Sequence, residues 1–274
     1  MKYLSASTIN THIKCPRKAV LQAMFPQPST GAQTRGTELH DALERYLCGE
    51  TEVVEDELGD WARKLDLLPN PSADILVEFG LGKINADAER YERVRRWTDC
   101  QEMIGDVPIR GIVDLIRFDR GHLEIWDHKT TSGWNWTETE QTLRQNVQAW
   151  LYAEMTCRWL EQEGRDFGDR ITIGHIQYLK PRELKTKVNL PTAANVRAVS
   201  ITTSRKEVAR KWTLLEAVAL EMIGTRGLAA NEVVGDRGHC GAFGGCQFRN
   251  LCGSFTSEAE SVKGAAVARW RMSL

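Results

Sequence analysis

The chain has 274 residues, of which 42% are hydrophobic and 27% are charged, a composition that suits one large soluble domain or a core with a small appendage. A net charge of −1 excludes a generally basic nucleic-acid binder, so any contact with DNA must use local patches. No apolar run has the length of a membrane span, and the N-terminus lacks a secretory segment. We therefore expect a cytoplasmic protein, and in that compartment a count of seven cysteines suggests metal or cluster ligation before disulfides.

The first part of the chain is predicted to be mainly helical. A first helix starts at Ser5 or Ser7 and ends before the first proline, and a short second helix covers Arg17–Met24. A third helix is predicted over Thr37–Leu47, where apolar residues recur at helical spacing. His40 lies at the edge of that apolar stripe, and on its own it would be interpreted as a partly buried histidine with local hydrogen bonds.

The next segments connect this helix to a hairpin. Residues 49–73 are acidic and interrupted by proline and asparagine, so we expect a surface insertion with a short helix over Leu58–Leu67. The run Ile75–Phe79 predicts a strand that carries Glu78. The highly charged segment Asp87–Trp97 is predicted to be a helix with a solvated face rather than a DNA patch, because acids alternate with its arginines.

A predicted β-hairpin carries most of the chemistry. Two apolar runs, Ile112–Phe118 and Leu123–Trp126, flank a short polar break. If a two-residue turn lies at the centre of that break, the numbers of facing residues sum to 241, and Asp114 faces Asp127 with Cβ atoms about 4.5–5.5 Å apart. Lys129 joins the same face because side chains alternate along a strand.

Two carboxylates at that distance repel each other unless a cation lies between them. Mg²⁺ typically takes one or two carboxylates and completes its shell with water and substrate phosphate. A lysine beside such an ion can orient or deprotonate an attacking water. The hairpin therefore indicates either a metal-dependent hydrolytic site or a surface hairpin with a solvated Asp–Lys pair, and the Asp…Asp-x-Lys pattern alone leaves both open.

The second half predicts a return to the sheet. A long helix is expected over Thr137–Gln162, on which Gln148 and Tyr152 are four residues apart and share a face. The order of elements predicts an α/β fold with a mixed, mainly antiparallel central sheet flanked by helices. The other predicted elements are strands over Ile171–Leu179 and Ala198–Thr203, a helix over Lys206–Ile223 and a helical tail over Glu258–Met272.

Three cysteines, Cys240, Cys246 and Cys252, are spaced six residues apart in a glycine-rich stretch. This stretch has too few apolar residues to form a core, whereas its glycines let the backbone wrap around a metal centre. Cys15 is the best candidate for a fourth ligand, and His239 is a substitute. Zinc sites usually contain a C-x2–4-C pair, which is absent here, so the spacing favours a [4Fe–4S] cluster over zinc. The remaining cysteines, Cys48, Cys100 and Cys157, lack this context.

Together these motifs resemble the RecB-like nucleases of the PD-(D/E)XK superfamily, specifically the iron–sulfur branch that includes the CRISPR-associated RecB-like exonucleases and AddB-type nuclease domains. The resemblance implies one nuclease domain over residues 1–274 with a restriction-endonuclease-like core, in which residues 1–30 and 224–256 form a cluster-binding region. The motifs that carry it span positions 5–252 and read SASTINTHIKCPRKA, RGTELHDAL, GIVDLI…LEIWDHKTT, QNVQAWLYA and the closing C-x5-C-x5-C.

The resemblance also implies roles for individual residues. Lys129 is similar to the catalytic lysine, and Glu78 matches an acidic strand residue that precedes the hairpin. Gln148 and Tyr152 match the Gln-x-x-x-Tyr motif, which assists at the active site and the DNA backbone. The implied ligands of Mg²⁺ or Mn²⁺ are His40, Asp114, Asp127 and the main-chain carbonyl of His128. The implied ligands of a structural [4Fe–4S] cluster are Cys15, Cys240, Cys246 and Cys252.

Two features depart from the family pattern. The closing cysteines usually include a C-x2-C pair, whereas the first spacing here is five residues. The residue before the lysine is usually tyrosine or β-branched, whereas here it is His128, whose carbonyl can still serve and whose imidazole is expected on the other face of the sheet.

The function implied is that of a metal-dependent DNA exonuclease acting on single-stranded DNA or DNA ends. A non-catalytic DNA-end-binding or adaptor subunit, for CRISPR spacer acquisition or recombination, and a metal-dependent endonuclease remain open. The expected partners are DNA and either a second copy of this chain or proteins of recombination or CRISPR adaptation. No association with a membrane is expected. Trp134 and Trp136 either stack on bases or pack in the core. Candidate strand contacts are Lys180, Arg182, Lys185 and Lys187.

Overall fold

The computed structural model of the protein describes residues 3–25, 31–72, 75–81, 83–85, 90–92, 103–119, 121–180, 190–236, 238, 240, 246–253 and 265–273. Its helices, as far as they are described, include none that is both long and apolar enough to cross a bilayer. The strands are β1 (Leu4–Ser5), β2 (Ile75–Leu81), β3 (Lys83–Asn85), β4 (Arg90–Glu92), β5 (Met103–Ile104), β6 (Val107–Asp119), β7 (His122–Thr131), β8 (Arg170–Leu179) and β9 (Val196–Ser204). The helices are α1 (Ala6–Lys14), α2 (Pro16–Met24), α3 (Gly31–Leu47), α4 (Glu57–Lys64), α5 (Glu140–Leu143), α6 (Val147–Gln162), α7 (Arg205–Gly224), α8 (Arg249–Gly253) and α9 (Ala265–Met272).

The predicted mixed, mainly antiparallel sheet flanked by helices is confirmed. Strand β6 lies at its centre and pairs antiparallel with β2, β5 and β7 and parallel with β1. Strand β7 pairs parallel with β8, which pairs antiparallel with β9. Strands β3 and β4 form a separate two-stranded sheet. Strand β6 therefore pairs with the N-terminal strands β1 and β2 and also forms the hairpin with β7.

Two apolar cores lie on the two sides of the sheet. The larger core joins α1, α6, α7 and α9 to sheet residues such as Ile116, Ile125 and Ile173. The smaller core joins α3 and α4 to residues such as Leu115 and Tyr178. Consecutive residues Leu115 and Ile116 belong to different cores because side chains alternate along β6.

The predicted hairpin register is confirmed over the regular part of the hairpin. Leu115 pairs with Trp126 and Asp119 pairs with His122, so the numbers of paired residues sum to 241. The two-residue turn includes Gly121, whose φ of 79° lies in the left-handed region that favours glycine. Regular pairing of β6 with β7 ends at Leu115, one residue before Asp114.

Helix caps explain where the helical predictions are right and where one is wrong. Of the two predicted starts of α1, Ser5 and Ser7, the structure selects Ser5, which caps the helix in a capping box with Thr8. The single helix predicted over 137–162 is wrong, because this segment contains the separate helices α5 and α6. Thr139 caps α5, and the side chain of Asn146 caps α6 by accepting a hydrogen bond from the Ala149 N–H at 3.1 Å.

Two further predicted segments, over 87–97 and 49–73, differ from their predictions in the structure. The helix predicted over 87–97 is wrong at Arg90–Glu92, which pair with β3 as a strand, while the rest of that segment lies outside the described residues. In the acidic segment expected as an insertion, the side chains of Leu58, Ala62 and Leu68 are buried in the smaller core. This segment therefore helps to hold α3 against the sheet.

Candidate active site

Three neighbouring strands bring an acidic residue to the same level of the sheet. In the register of β2 with β6, Val77 pairs with Leu115 and Phe79 with Val113, so Glu78 lies opposite Asp114. The hairpin register places Asp127 across from Asp114 on the other side. The pairing is irregular at this level, and Glu78 has a φ of 46°, which is uncommon for a residue with a side chain.

Asp114 occupies the point at which β6 and β7 separate. The residue is only 6% exposed, and its Oδ2 accepts a hydrogen bond of 2.6 Å from the main-chain N–H of His128. The carboxylate thus replaces a main-chain carbonyl as the acceptor between the two strands. This bond fixes the position of Asp114 beside the strand that carries Asp127 and Lys129.

Helix α3 delivers a histidine to the two acids of β2 and β6. Its neighbours on the helix are buried in the smaller core, which orients His40 towards the strands. His40 Nδ1 lies 3.6 Å from Glu78 Oε1 and 3.7 Å from Asp114 Oδ2, and its Nε2 donates to the carbonyl oxygen of His128 at 3.0 Å. Potential ligand atoms of His40, Glu78 and Asp114 lie within 4.8 Å of one another, a spacing that suits a metal ion.

Burial and mutual charge shift the proton affinities of this group. Burial, with the nearby charge of Asp127, raises the pKa of Asp114 to about 8. Burial alone would lower the pKa of His40, but its hydrogen bond with Glu78 and the charge of Asp114 outweigh that effect and raise it to about 9. The group therefore holds protons near neutral pH when no cation balances its negative charge.

Lys129 and Asp127 form an ion pair on the face of β7 that looks towards α6. Gln148 Nε2 donates to Asp127 Oδ1 at 2.8 Å, so helix α6 also holds this carboxylate. Burial would lower the pKa of Lys129, but the charges of Asp127 and Asp114 outweigh burial and raise it. Lys129 is accordingly a charged donor at neutral pH.

Tyr152 reaches the same face through close packing against Gly111. A Cβ added at Gly111 would lie 2.7 Å from Tyr152 Cε1, so only glycine leaves room for this ring. Burial and the charge of Asp127 raise the pKa of Tyr152 above its usual value, which keeps the hydroxyl protonated. The structure thus brings Gln148 and Tyr152 together with Asp127 and Lys129, four residues that the sequence places on one helix and one strand.

The imidazole of His128 lies on the opposite face of the sheet from Lys129. Its Nδ1 forms a hydrogen bond of 3.0 Å with the hydroxyl of Tyr178 in the smaller core. Burial and the positive charge of His40 lower the pKa of His128 to about 3, so this ring is neutral. The main-chain carbonyl and N–H of His128, by contrast, face the group of acids, where they contact His40 and Asp114.

The sequence alone assigned Glu78 no ligand role of its own. The cluster of ligand atoms contains Glu78 but not Asp127, whose carboxylate is engaged by Lys129 and Gln148. A lone glutamate in an otherwise apolar strand is the signal, but its position depends on the pairing of β2 with β6, which lies more than thirty residues away in sequence.

A cleft of about 680 Å³ opens beside this group. Lys129, Gln148 and Tyr152 form one side of the cleft, and the start of α1 forms another. Beyond the end of β7, Trp134 lies under the guanidinium of Arg197 at 4.2 Å, and Trp136 is 59% exposed. Lys180 follows β8, where its N–H donates to the carbonyl of Thr131. Three of the candidate strand contacts lie outside the described residues: Arg182, Lys185 and Lys187.

The four candidate cluster cysteines lie in one region where the two ends of the chain meet. Cys15 Sγ accepts from the N–H of Asp236 at 3.3 Å, and Arg17 donates to Cys252 Sγ at 3.6 Å. Burial and the neighbouring thiols raise the pKa of Cys240. Among the described residues, no three of the cysteine sulfurs lie within 4.8 Å of one another. The substitute ligand His239 lies outside the described residues.

Comparisons with known proteins extend these observations. A family model described as the PD-(D/E)XK nuclease superfamily matches residues 3–253, which is nearly the whole chain. A solved structure titled "Crystal structure of SSO0001" is similar at 12% sequence identity and a TM-score of 0.41, over 94% of this chain and 88% of that chain. No curated protein matches the sequence significantly.

Proposed function

The chain belongs to the PD-(D/E)XK nuclease superfamily, a group of metal-dependent nucleases, and from this membership we propose that it is a DNA exonuclease acting on single-stranded DNA or DNA ends. One observation carries the proposal. The metal-binding group of His40, Glu78 and Asp114 lies beside the Lys129–Asp127 ion pair, and this pair borders a cleft. Ligands, a cationic donor and a binding surface thus meet at one place, as phosphodiester hydrolysis requires.

The residues present fit a divalent metal ion. Carboxylate oxygens with one imidazole are donors that suit Mg²⁺ and Mn²⁺, and burial together with the charge of Asp127 raises the pKa of Asp114, an environment in which a cation stabilises the carboxylate. We assign His40, Glu78, Asp114 and Asp127 as side-chain ligands, together with the main-chain carbonyl of His128. When bound, the metal polarises the scissile phosphate and increases the acidity of a coordinated water.

Lys129 acts beside the metal as a positioned cation. Its ion pair with Asp127 fixes the ammonium group at the border of the cleft, and its raised pKa keeps it protonated. A protonated lysine orients the attacking water and offsets the negative charge that develops on the phosphate oxygens. We therefore assign Lys129 a donor role rather than that of a general base at neutral pH.

Gln148 and Tyr152 complete this face of the site. Gln148 holds Asp127 in place by its hydrogen bond of 2.8 Å, and Tyr152 offers a protonated hydroxyl to the cleft. Both side chains come from α6, whose start Asn146 caps. We propose that Gln148 positions the carboxylate while Tyr152 donates to a phosphate oxygen of the strand.

The preference for a single strand or an end is supported by the shape of the cleft and by an aromatic residue. A volume of about 680 Å³ is that of a small-ligand pocket, which suits a single strand better than a duplex. Trp136 is exposed just beyond the strand that carries Lys129, and we propose that an unpaired base stacks on this exposed ring.

We propose that Cys15, Cys240, Cys246 and Cys252 hold a [4Fe–4S] cluster that joins the N- and C-terminal segments. The closing C-x5-C-x5-C pattern lacks the C-x2–4-C pair of most zinc sites, which favours the cluster over zinc. The main-chain N–H of Asp236 donates to Cys15 Sγ, and the guanidinium of Arg17 donates to Cys252 Sγ, so both proposed ligands are oriented by hydrogen bonds.

The proposed activity is tested with end-labelled single-stranded DNA and Mn²⁺. We expect stepwise shortening by the wild-type protein and at least a roughly 100-fold loss of rate in Asp127→Asn and Lys129→Met. Lys64→Met is the matched control, because Lys64 pairs with Asp60 on α4, away from the cleft. Oligonucleotides blocked at either end then give the polarity.

Three results would contradict the proposal. Full activity in either site variant refutes the site assignment. Cleavage of circular single strands at the rate of linear ones identifies an endonuclease. Tight DNA binding with no metal-dependent cleavage identifies a binding or adaptor subunit.

A further inference from the structure

The cleft beside Lys129 is lined by a second cationic side chain, which has no role in the proposed catalytic site. Arg110 lies on β6, four residues before Asp114, and its side chain lines the cleft. Four residues of a strand span roughly 13 Å, so the two side chains meet different parts of a bound ligand. The Cα atoms of Arg110 and Asp114 are therefore far enough apart for Arg110 to contact a different phosphate from the one at the metal-binding group.

The guanidinium of Arg110 is held in place but has no ion-pair partner within the described part of the chain. Its Cζ lies 4.4 Å above the ring of Tyr3, and its Cα is fixed because Ser5 of β1 pairs with Arg110. Its Nε is buried and has no hydrogen-bond partner, and no described acid forms an ion pair with this arginine. A buried donor without a partner is costly, which points to an acceptor that the bound ligand supplies.

The surroundings of Arg110 favour an anion. The described residues that line the cleft include two cations, Arg110 and Lys129, and no acid. The polar side chains of Ser7, Asn10 and Asn146 add hydrogen-bonding groups along the same cleft. An arginine that is stacked on a ring keeps the edge of its guanidinium free for two parallel hydrogen bonds, the geometry that phosphate oxygens accept.

We propose that Arg110 binds a backbone phosphate of the DNA strand upstream or downstream of the scissile phosphate, so that the cleft holds the strand in register with the metal-binding group. This proposal rests on the proposed nuclease function, because a polynucleotide carries a phosphate at every step. A stacked strand rises about 3.4 Å per nucleotide, so roughly 13 Å corresponds to about four steps, and to fewer in an extended strand. Arg110 is thus a positioning residue that fixes which bond reaches the catalytic group.

The test combines substitution of Arg110 with removal of single phosphate charges. Binding of a fluorescent single-stranded oligonucleotide is measured in EDTA, so that no cleavage occurs, with a neutral methylphosphonate at one linkage at a time. In the wild-type protein we expect one or two linkages within about four nucleotides of the scissile position to weaken binding by roughly 10-fold. In Arg110→Met, binding to the unmodified strand weakens by a similar factor, and the same linkages have no further effect.

Matched variants separate this role from general charge and from folding. Arg117→Met removes the same charge from β6, but Arg117 pairs with Glu124 outside the cleft, so its phosphate profile stays that of wild type. Arg110→Lys retains the positive charge but lacks the planar guanidinium, so we expect it to bind the strand more tightly than Arg110→Met and more weakly than wild type. If Arg110→Met does not fold, as judged by circular dichroism, the comparison of Arg110→Lys with wild type across the methylphosphonate series replaces it.

The outcomes distinguish this proposal from the nuclease function. A methylphosphonate profile that is unchanged by loss of Arg110 overturns the phosphate subsite while cleavage by the wild-type protein leaves the nuclease function intact. An Arg110-dependent profile in a protein that never cleaves DNA supports the subsite and refutes the nuclease proposal.

Discussion

Glu78 has an unusual backbone conformation and lies in an unusual electrostatic environment. Its φ of 46° costs of the order of 1–3 kcal/mol for a residue with a side chain, and such strain persists where function requires it. The conformation turns the carboxylate of Glu78 towards His40, 3.6 Å away, and towards Asp114. The backbone strain and the repulsion between Glu78 and Asp114 are both removed if this side chain is removed.

We therefore expect Glu78→Gly to stabilise the metal-free protein by about 1 kcal/mol and to weaken Mn²⁺ binding by at least roughly 10-fold. Asp66→Gly is the matched control, because Asp66 also has a positive φ, 55°, but lies outside the metal-binding group. It should give the gain in stability without the loss of Mn²⁺ affinity. Urea unfolding and calorimetric titration measure the two effects, and an unchanged Mn²⁺ affinity in Glu78→Gly would remove Glu78 from the ligands.

The raised pKa values of Asp114 and His40 give the metal site a defined dependence on pH. Both groups hold protons below their folded pKa values of about 8 and about 9, whereas their ordinary values are 3.8 and 6.5. Their protonation therefore stabilises the metal-free fold at low pH, and this contribution is lost as pH rises from about 4 to about 9. Metal binding requires the deprotonated forms and must release protons.

The increase in unfolding temperature caused by Mn²⁺ should accordingly grow between pH 6 and pH 9. Titration calorimetry in buffers of different ionisation enthalpy should detect proton release, which becomes smaller towards pH 9. Asp114→Asn removes one of the titrating groups and should flatten this dependence. Metal binding with no proton release at pH 7 would contradict the coupling.

At the scale of elements, the features that the sequence predicts well are set by neighbours along the chain. The register of β6 with β7 follows from a two-residue turn at Gly121, and the start of α1 follows from the Ser5 cap. The prediction of one helix over 137–162 does not contain the break between α5 and α6, because it does not use Asn146 as the cap that starts α6. The positions of Glu78 and Arg110 depend on β2 and β1, whose partners on β6 are distant in sequence.

The contact between β6 and α6 depends on the absence of a side chain at one residue. Gly111→Ala would place a methyl group 2.7 Å from the Tyr152 ring, so we expect a loss of about 1–3 kcal/mol of stability and a displaced tyrosine. Nuclease rate should fall by more than the folded fraction does. Gly224→Ala is the control, since no atom lies within 4 Å of its added Cβ. Equal effects of both substitutions would show that this packing does not position Tyr152.

At the scale of the whole molecule, the two ends of the chain are tied together at several points. Arg17 donates to the carbonyl of Val233 at 2.8 Å, close to Cys15. Arg271 in α9 donates to the carbonyl of Ile13 at 2.5 Å, and Trp270 is buried in the larger core. A cluster held by Cys15 and the three C-terminal cysteines would add a covalent link between these same segments. The proposed metal-binding group of His40, Glu78 and Asp114 lies on the sheet and on α3, which these links do not include.

Removal of one proposed cluster ligand should therefore loosen the ends while leaving the metal-binding group in place. We expect Cys15→Ala to lose iron, sulfide and visible absorbance, and to unfold several degrees lower, since 1 kcal/mol corresponds to roughly 2–4 °C at this size. Cys157 is also buried but packs in the larger core, so Cys157→Ala should lose stability without losing iron. Mn²⁺ affinity should be unchanged in both variants. If the wild-type protein, produced with iron available, binds one zinc ion and no iron, the proposed cluster is wrong and the cysteines form a zinc site. A large loss of Mn²⁺ affinity in Cys15→Ala would show that the two centres depend on each other.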